Sequence, residues 1–113
     1  RAYEVLNKTR QTLGLGKLKI NRSLEKLAVV HSQLMGDRRK LKTNLRESGD
    51  LIDRIMEETT AQQSAANIYR TSSLDSLKDS PHLKDTFLEV GVGVYQANSK
   101  KSAPLWVTVI FAK

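Results

Sequence analysis

Helical periodicity in the first half of the chain and two β-rich runs at its end predict an α+β fold. The expected architecture is a three-layer α-β-α sandwich, with a small antiparallel sheet covered by helices on both faces. Two features carry this expectation. Apolar residues up to Met35 recur at three- and four-residue spacing, the period of amphipathic helices. The runs Leu88-Glu89-Val90-Gly91-Val92-Gly93-Val94 and Leu105-Trp106-Val107-Thr108-Val109-Ile110-Phe111 flank a turn-rich segment, Ala97 to Ser102, which predicts a hairpin. In the second run Leu105, Val107, Val109 and Phe111 share one face, and Trp106, Thr108 and Ile110 share the other. Both faces are largely apolar, so both need cover.

In chain order, Ala2, Val5, Leu6, Thr9 and Leu13 form the stripe of a first helix, which Gly14 and Gly16 end. Lys17-Leu18-Lys19-Ile20 alternates and reads as a short strand or an extended connector. Asn21 is placed to cap the strongest helix, whose stripe is Leu24, Leu27, Ala28, His31, Leu34 and Met35. From Gly36 to Gly49 the pattern breaks into a basic, irregular stretch. Asp50 caps a short helix carrying Leu51, Ile52, Ile55 and Met56. Residues 59–66 are small and polar and show no period. Ser72-Ser73-Leu74-Asp75 opens a further short helix, limited by Pro81.

The length of 113 residues fits one domain over 1–113, and 39% hydrophobic residues can build one modest core. Lys and Arg outnumber Asp and Glu by 19 to 12, a balance of +7 that favours anionic partners over cationic ones. The absence of cysteine excludes disulfides, thiolate metal sites and cysteine nucleophiles. No apolar stretch is long enough to span a bilayer. The chain begins at Arg1 rather than Met, which reads as a trimmed product that a signal peptide or lipid-attachment segment would precede.

The order of motifs resembles the CAP superfamily (cysteine-rich secretory proteins, antigen-five and pathogenesis-related proteins), also called the SCP domain, in its short, cysteine-free bacterial form. Leu6-Asn7-Lys8-Thr9-Arg10 is similar to that branch's opening Leu-Asn-x-x-Arg. Leu24, Ala28, His31 and Met35 match its long-helix pattern, and Asp53-Arg54 resembles the next helix's Arg. Ala66-Asn67-Ile68 stands where the family has Gly-Glu-Asn-Ile. Ser80-Pro81-His82 is similar to Ser-Pro-x-His, and Val90-Gly91-Val92-Gly93-Val94 to the family's strand. The resemblance implies a cleft that in many members holds two histidines and one or two glutamates, with a divalent metal in some. Here the first histidine falls near Thr43 or Asn44, one glutamate at Ala66 and another at Ser80, so His82 alone remains. One imidazole is too few for a metal site, and the family metal centre is expected to be lost.

His31, on the apolar stripe, is expected to pack in the core with one hydrogen bond rather than serve as a ligand. His82, Asn67 and Ser80 are the cleft-lining candidates, Asn67 as a loop-holding residue. Gly91 and Gly93 mark a bulge or a close backbone approach rather than a phosphate loop, because no helix start follows them. Arg38, Arg39, Lys40, Lys42 and Arg46, with Lys100 and Lys101, could draw an anionic partner. They lack the interleaved aromatics and motif spacing of nucleic-acid binders.

The expected function is therefore non-enzymatic: an extracellular or cell-surface CAP domain that binds a protein, glycan or lipid. Loops 36–49 and 59–72 would carry specificity, with no cofactor and a monomeric state. The rival reading is a residual hydrolase or metal-dependent enzyme centred on His82, helped by a carboxylate from Asp79, Asp85 or Glu89. Membrane attachment would come only through a lipid anchor preceding Arg1, making the protein an outer surface lipoprotein.

Overall fold

The structure, a computed structural model, describes residues 1–45, 49–96 and 103–113. Arg46 and the hairpin turn with Lys100 and Lys101 lie outside the described residues. The first helix, α1 (Ala2–Thr12), stops where Gly14 turns to a φ of +74° and Leu15 N–H reaches back to the Arg10 carbonyl at 2.9 Å. Asn7 then brackets the backbone of Leu18: its Oδ1 accepts from Leu18 N at 2.8 Å and its Nδ2 donates to Leu18 O at 3.4 Å. That aligns the two-residue strand β1 (Lys19–Ile20).

The Asn21 side chain accepts from Ser23 N and Leu24 N and so starts α2 (Arg22–Arg38). A small antiparallel pair follows, β2 (Asn44–Leu45) and β3 (Gly49–Asp50). Asp50 caps α3 (Leu51–Glu58) by accepting from Ile52 N and Asp53 N. Strand β4 spans Ser64–Thr71, and two short 3-10 helices, Leu74–Asp79 and Pro81–Lys84, lead to β5 (Glu89–Tyr95) and β6 (Leu105–Ala112). The main sheet has the order β1-β5-β6-β4; it is antiparallel except where β1 runs parallel to β5.

Two expectations change. Residues 59–72 are not a loop: they hold β4, an edge strand paired along its whole length with β6. The stretch from Gly36 is not irregular at its start, because α2 continues to Arg38.

Side-chain alternation along β6 divides the core. Val107, Val109 and Phe111 pack with Leu6 of α1, Leu77 and Leu83 on one face. Ile110 packs with Leu24, Leu27, Ala28, Leu51 and Ile55 of α2 and α3 on the other, where Trp106 joins Met35 and Leu45. Glycine allows the close packing of α2. A Cβ on Gly91 would lie 2.3 Å from Glu25 N, and one on Gly93 2.2 Å from the Ala28 carbonyl carbon, so the helix rests directly on the β5 backbone. Ser32, buried in that seam, sits 2.8 Å from both the Gly93 carbonyl and the Thr108 hydroxyl. Its single proton can serve either acceptor, one at a time.

At the far edge, Tyr3 of α1 accepts from Val92 N at 3.0 Å and donates to Glu25 of α2, joining the two helical layers around β5. Burial and the Glu25 hydrogen bond push the Tyr3 phenol up to about 12.

Candidate functional site

The sequence nominates two polar regions, and the fold places them on opposite faces of the sheet. The first lies on the α1 side, where the second 3-10 helix crosses β4. Pro81 starts that turn with its fixed φ, and Arg10 holds it in place. The Arg10 guanidinium, 6% exposed, donates to Gly16 O at 2.6 Å, Leu83 O at 2.9 Å and Asp85 O at 3.1 Å. A buried cation is thus matched by carbonyl dipoles, and α1 is tied to the turn that carries His82.

Within this corner the candidates are engaged with one another or their neighbours. The Ser80 hydroxyl, itself buried, donates to Oδ1 of Asn67, whose Nδ2 donates to the Ala66 carbonyl at 3.2 Å. Asn67 therefore ties a strand to the turn beside it, not a loop to itself. His82 does not join them. Its Nδ1 lies 2.9 Å from Oδ2 of Asp85, and its ring stands against Phe87 and Phe111 at centroid distances of 6.3 and 6.2 Å. The imidazole side chain is 34% exposed. Of the carboxylates considered for it, Asp85 is in reach, while Glu89 accepts from Nδ2 of Asn21 at 3.0 Å. Tyr69, which sequence reasoning passed over, closes the inner wall. Its hydroxyl is buried without a hydrogen-bond partner in good geometry. Burial holds its pKa above the ordinary phenol range, the charge of Asp79 adds to this, and the neighbouring Ser80 opposes it.

The donor set here does not fit a divalent cation. Ala66 offers a methyl group and packs on the α3 side of β4, against the opposite face from Asn67. Thr43 leads into β2, which Asn44 begins, with Thr43 O accepting from Leu51 N at 3.0 Å. Among the described residues, no three His, Cys, Asp or Glu side chains are grouped to hold a metal ion. What the corner presents is one imidazole paired with one carboxylate, an amide and a hydroxyl, with both polar side chains of the Ser80–Asn67 pair already bonded.

The second region gathers around the C-terminus of α2. Arg38, Arg39, Lys40 and Lys42 are all exposed. The Lys42 carbonyl accepts from Nε2 of His31 at 2.8 Å, so the core histidine pins the chain leaving α2. Burial lowers the His31 pKa, with the charge of Arg54 acting the same way against the Lys42 hydrogen bond and Asp50. Arg39 and Arg70 line an open groove of about 530 Å³ with Gly36, Leu41, Pro104 and Trp106. Sequence reasoning did not connect Arg70 or Trp106 with the basic stretch. The pairing of β4 with β6, which sets Arg70 opposite Trp106, makes the connection.

Comparison with known proteins agrees with this architecture. The family model described as CAP, cysteine-rich secretory protein family, matches residues 3–111. No curated protein sequence matches the chain. Among solved structures, an extracellular protein containing an SCP domain from Bacillus anthracis superposes with a TM-score of 0.79 at 21% identity, over 99% of this chain and 39% of that one. An outer surface protein from Borrelia burgdorferi gives 0.75 at 20% identity, over 98% of this chain and 88% of its own. A cysteine-rich secretory protein from Staphylococcus aureus gives 0.64 at 22% identity, over 98% and 36%. The chain thus spans well under half of the Bacillus and Staphylococcus proteins, and most of the Borrelia one.

Proposed function

Within the cysteine-rich secretory protein (CAP) family, to which this chain belongs, we propose that it is a binding domain rather than an enzyme, with the family metal site lost. Its place would be outside the cell or at the cell surface, as the descriptions of the Bacillus and Borrelia proteins favour, with a lipid anchor as one means of attachment. The partner is a protein, a glycan or a lipid. The observation that carries this reading is the internal use of the cleft's polar groups. Ser80 is bonded to Asn67, His82 to Asp85, and position 66 carries alanine where the family carries glutamate. A metal-binding centre needs such donors free and convergent.

Calorimetry with zinc tests it. The expected result is no stoichiometric binding at micromolar affinity; stoichiometric binding abolished by His82→Ala overturns the reading. One observation favours a hydrolase instead: the 2.9 Å contact of His82 with Asp85 is the base-and-orienting-carboxylate half of a catalytic triad. Ester hydrolysis lost equally in His82→Ala and Asp85→Asn would support that rival. Activity unchanged in both would remove it.

A further inference from the structure

The groove at the end of α2 differs in kind from the His82 corner, because its charges are unmatched. Among the described residues, neither Arg39 nor Arg70 forms an ion pair with a carboxylate, and no acidic side chain lines the groove. Asp37, two residues before Arg39, accepts from the Tyr95 hydroxyl at 2.8 Å. Arg70, an exposed residue, lies 5.5 Å from the centre of the Trp106 ring, a cation–π contact.

Arg39 is held in the left-handed region at φ 54°, ψ 41°, and is the one described non-glycine residue with positive φ. Glycine is the usual residue after a helix, and an arginine there is strained by its Cβ. Such strain gathers at functional sites. Gly36 lets the helix end approach the aromatic floor, since a Cβ would fall 2.5 Å from the Tyr95 ring and 3.0 Å from Trp106.

We propose that this groove binds the carboxylate or sulfate groups of an acidic oligosaccharide, clamped between Arg39 and Arg70. Guanidinium forks match such oxyanions with paired hydrogen bonds. The volume of about 530 Å³ suits one or two sugar rings and lies within the usual range for small-ligand sites. A nucleic acid fits less well: Trp106 is 4% exposed beneath Arg70 and gives no platform for a base. A lipid chain would have Leu41 as its exposed large apolar contact in the groove, too little to hold it. The proposal rests on the binding reading only in supposing that a ligand exists; the outcome of the zinc titration at His82 leaves it untouched.

The test is calorimetry with a heparin-derived hexasaccharide at moderate salt. The double variant Arg39→Gln/Arg70→Gln is expected to weaken binding by at least about tenfold, two lost charge-assisted contacts. The charge-matched Lys8→Gln/Lys17→Gln, on and just beyond α1, should stay within about twofold if recognition is local. Arg39→Lys/Arg70→Lys keeps the charge but removes the forks, and should also bind more weakly than the native protein. No binding by the native protein overturns the proposal. So do equal losses in the two glutamine variants, native affinity in the lysine variant, or tighter binding to phosphatidylserine vesicles or a single-stranded oligonucleotide.

Discussion

The His82 corner and the Arg39–Arg70 groove sit on opposite faces of one sheet and use polar side chains in opposite ways. In the corner, Arg10, Ser80, Asn67 and His82 each have a partner supplied by the fold, and removing Arg10 or Ser80 would leave buried or half-buried acceptors unmatched. In the groove, two guanidiniums face solvent with no acidic side chain among the described lining residues, and one of them sits on a strained backbone. The contrast separates residues that hold the family scaffold from residues free to meet a ligand. It also explains the opening Leu-Asn-x-x-Arg motif: Asn7 aligns β1 and Arg10 anchors the 81–85 turn, so both polar members are structural.

The contrast can be broken by mutation. Arg10→Met should have the largest effect, lowering unfolding free energy by about 3 kcal/mol, because three carbonyls lose a charged donor. Urea denaturation measures this; a loss under about 1 kcal/mol would mean that water replaces the guanidinium. Ser80→Ala should cost about 1 kcal/mol by leaving Oδ1 of Asn67 without its donor. Arg39→Gly should go the other way, raising stability by roughly 0.5–1 kcal/mol as the left-handed strain is relieved, while weakening hexasaccharide binding. Destabilisation by that change would place Arg39 with the scaffold.

The smallest effect is that of pH. Folding lowers the His31 pKa below its ordinary 6.5, so the unfolded chain takes up a proton first. The stability tied to neutral His31 is complete above pH 6.5 and is lost as pH falls from there through the folded-state value. Urea midpoints at pH 7.5 and 5.5 should fall accordingly in the native protein and less in His31→Gln. Equal slopes in the two would remove His31 as the cause.

Much of the fold is legible in the sequence because its signals are local. The stripes of α1 and α2, the caps Asn21 and Asp50, and the alternation of Leu105 to Phe111 each lie within one element. Strand β4 escaped because Ser64, Ala65, Ala66 and Asn67 have little β character, and it is pairing with β6 that makes them a strand. Gly36 read as a helix stop, yet it is an interior glycine chosen for close packing on Tyr95. The parts of the corner were visible as Ser-Pro-His, and Asp85 follows His82 at a spacing that one turn brings together. The groove was not visible: Arg39, Arg70 and Trp106 meet only through the sheet register.

The most direct measurement is a backbone amide NMR perturbation map of one native sample, titrated first with zinc and then with the heparin-derived hexasaccharide. The account predicts no specific shifts from zinc at Ser80 to Asp85, and then oligosaccharide shifts centred on Gly36, Arg39, Arg70 and Trp106. Saturable zinc shifts at His82 and its neighbours, or oligosaccharide shifts centred on the α1 face, would contradict it.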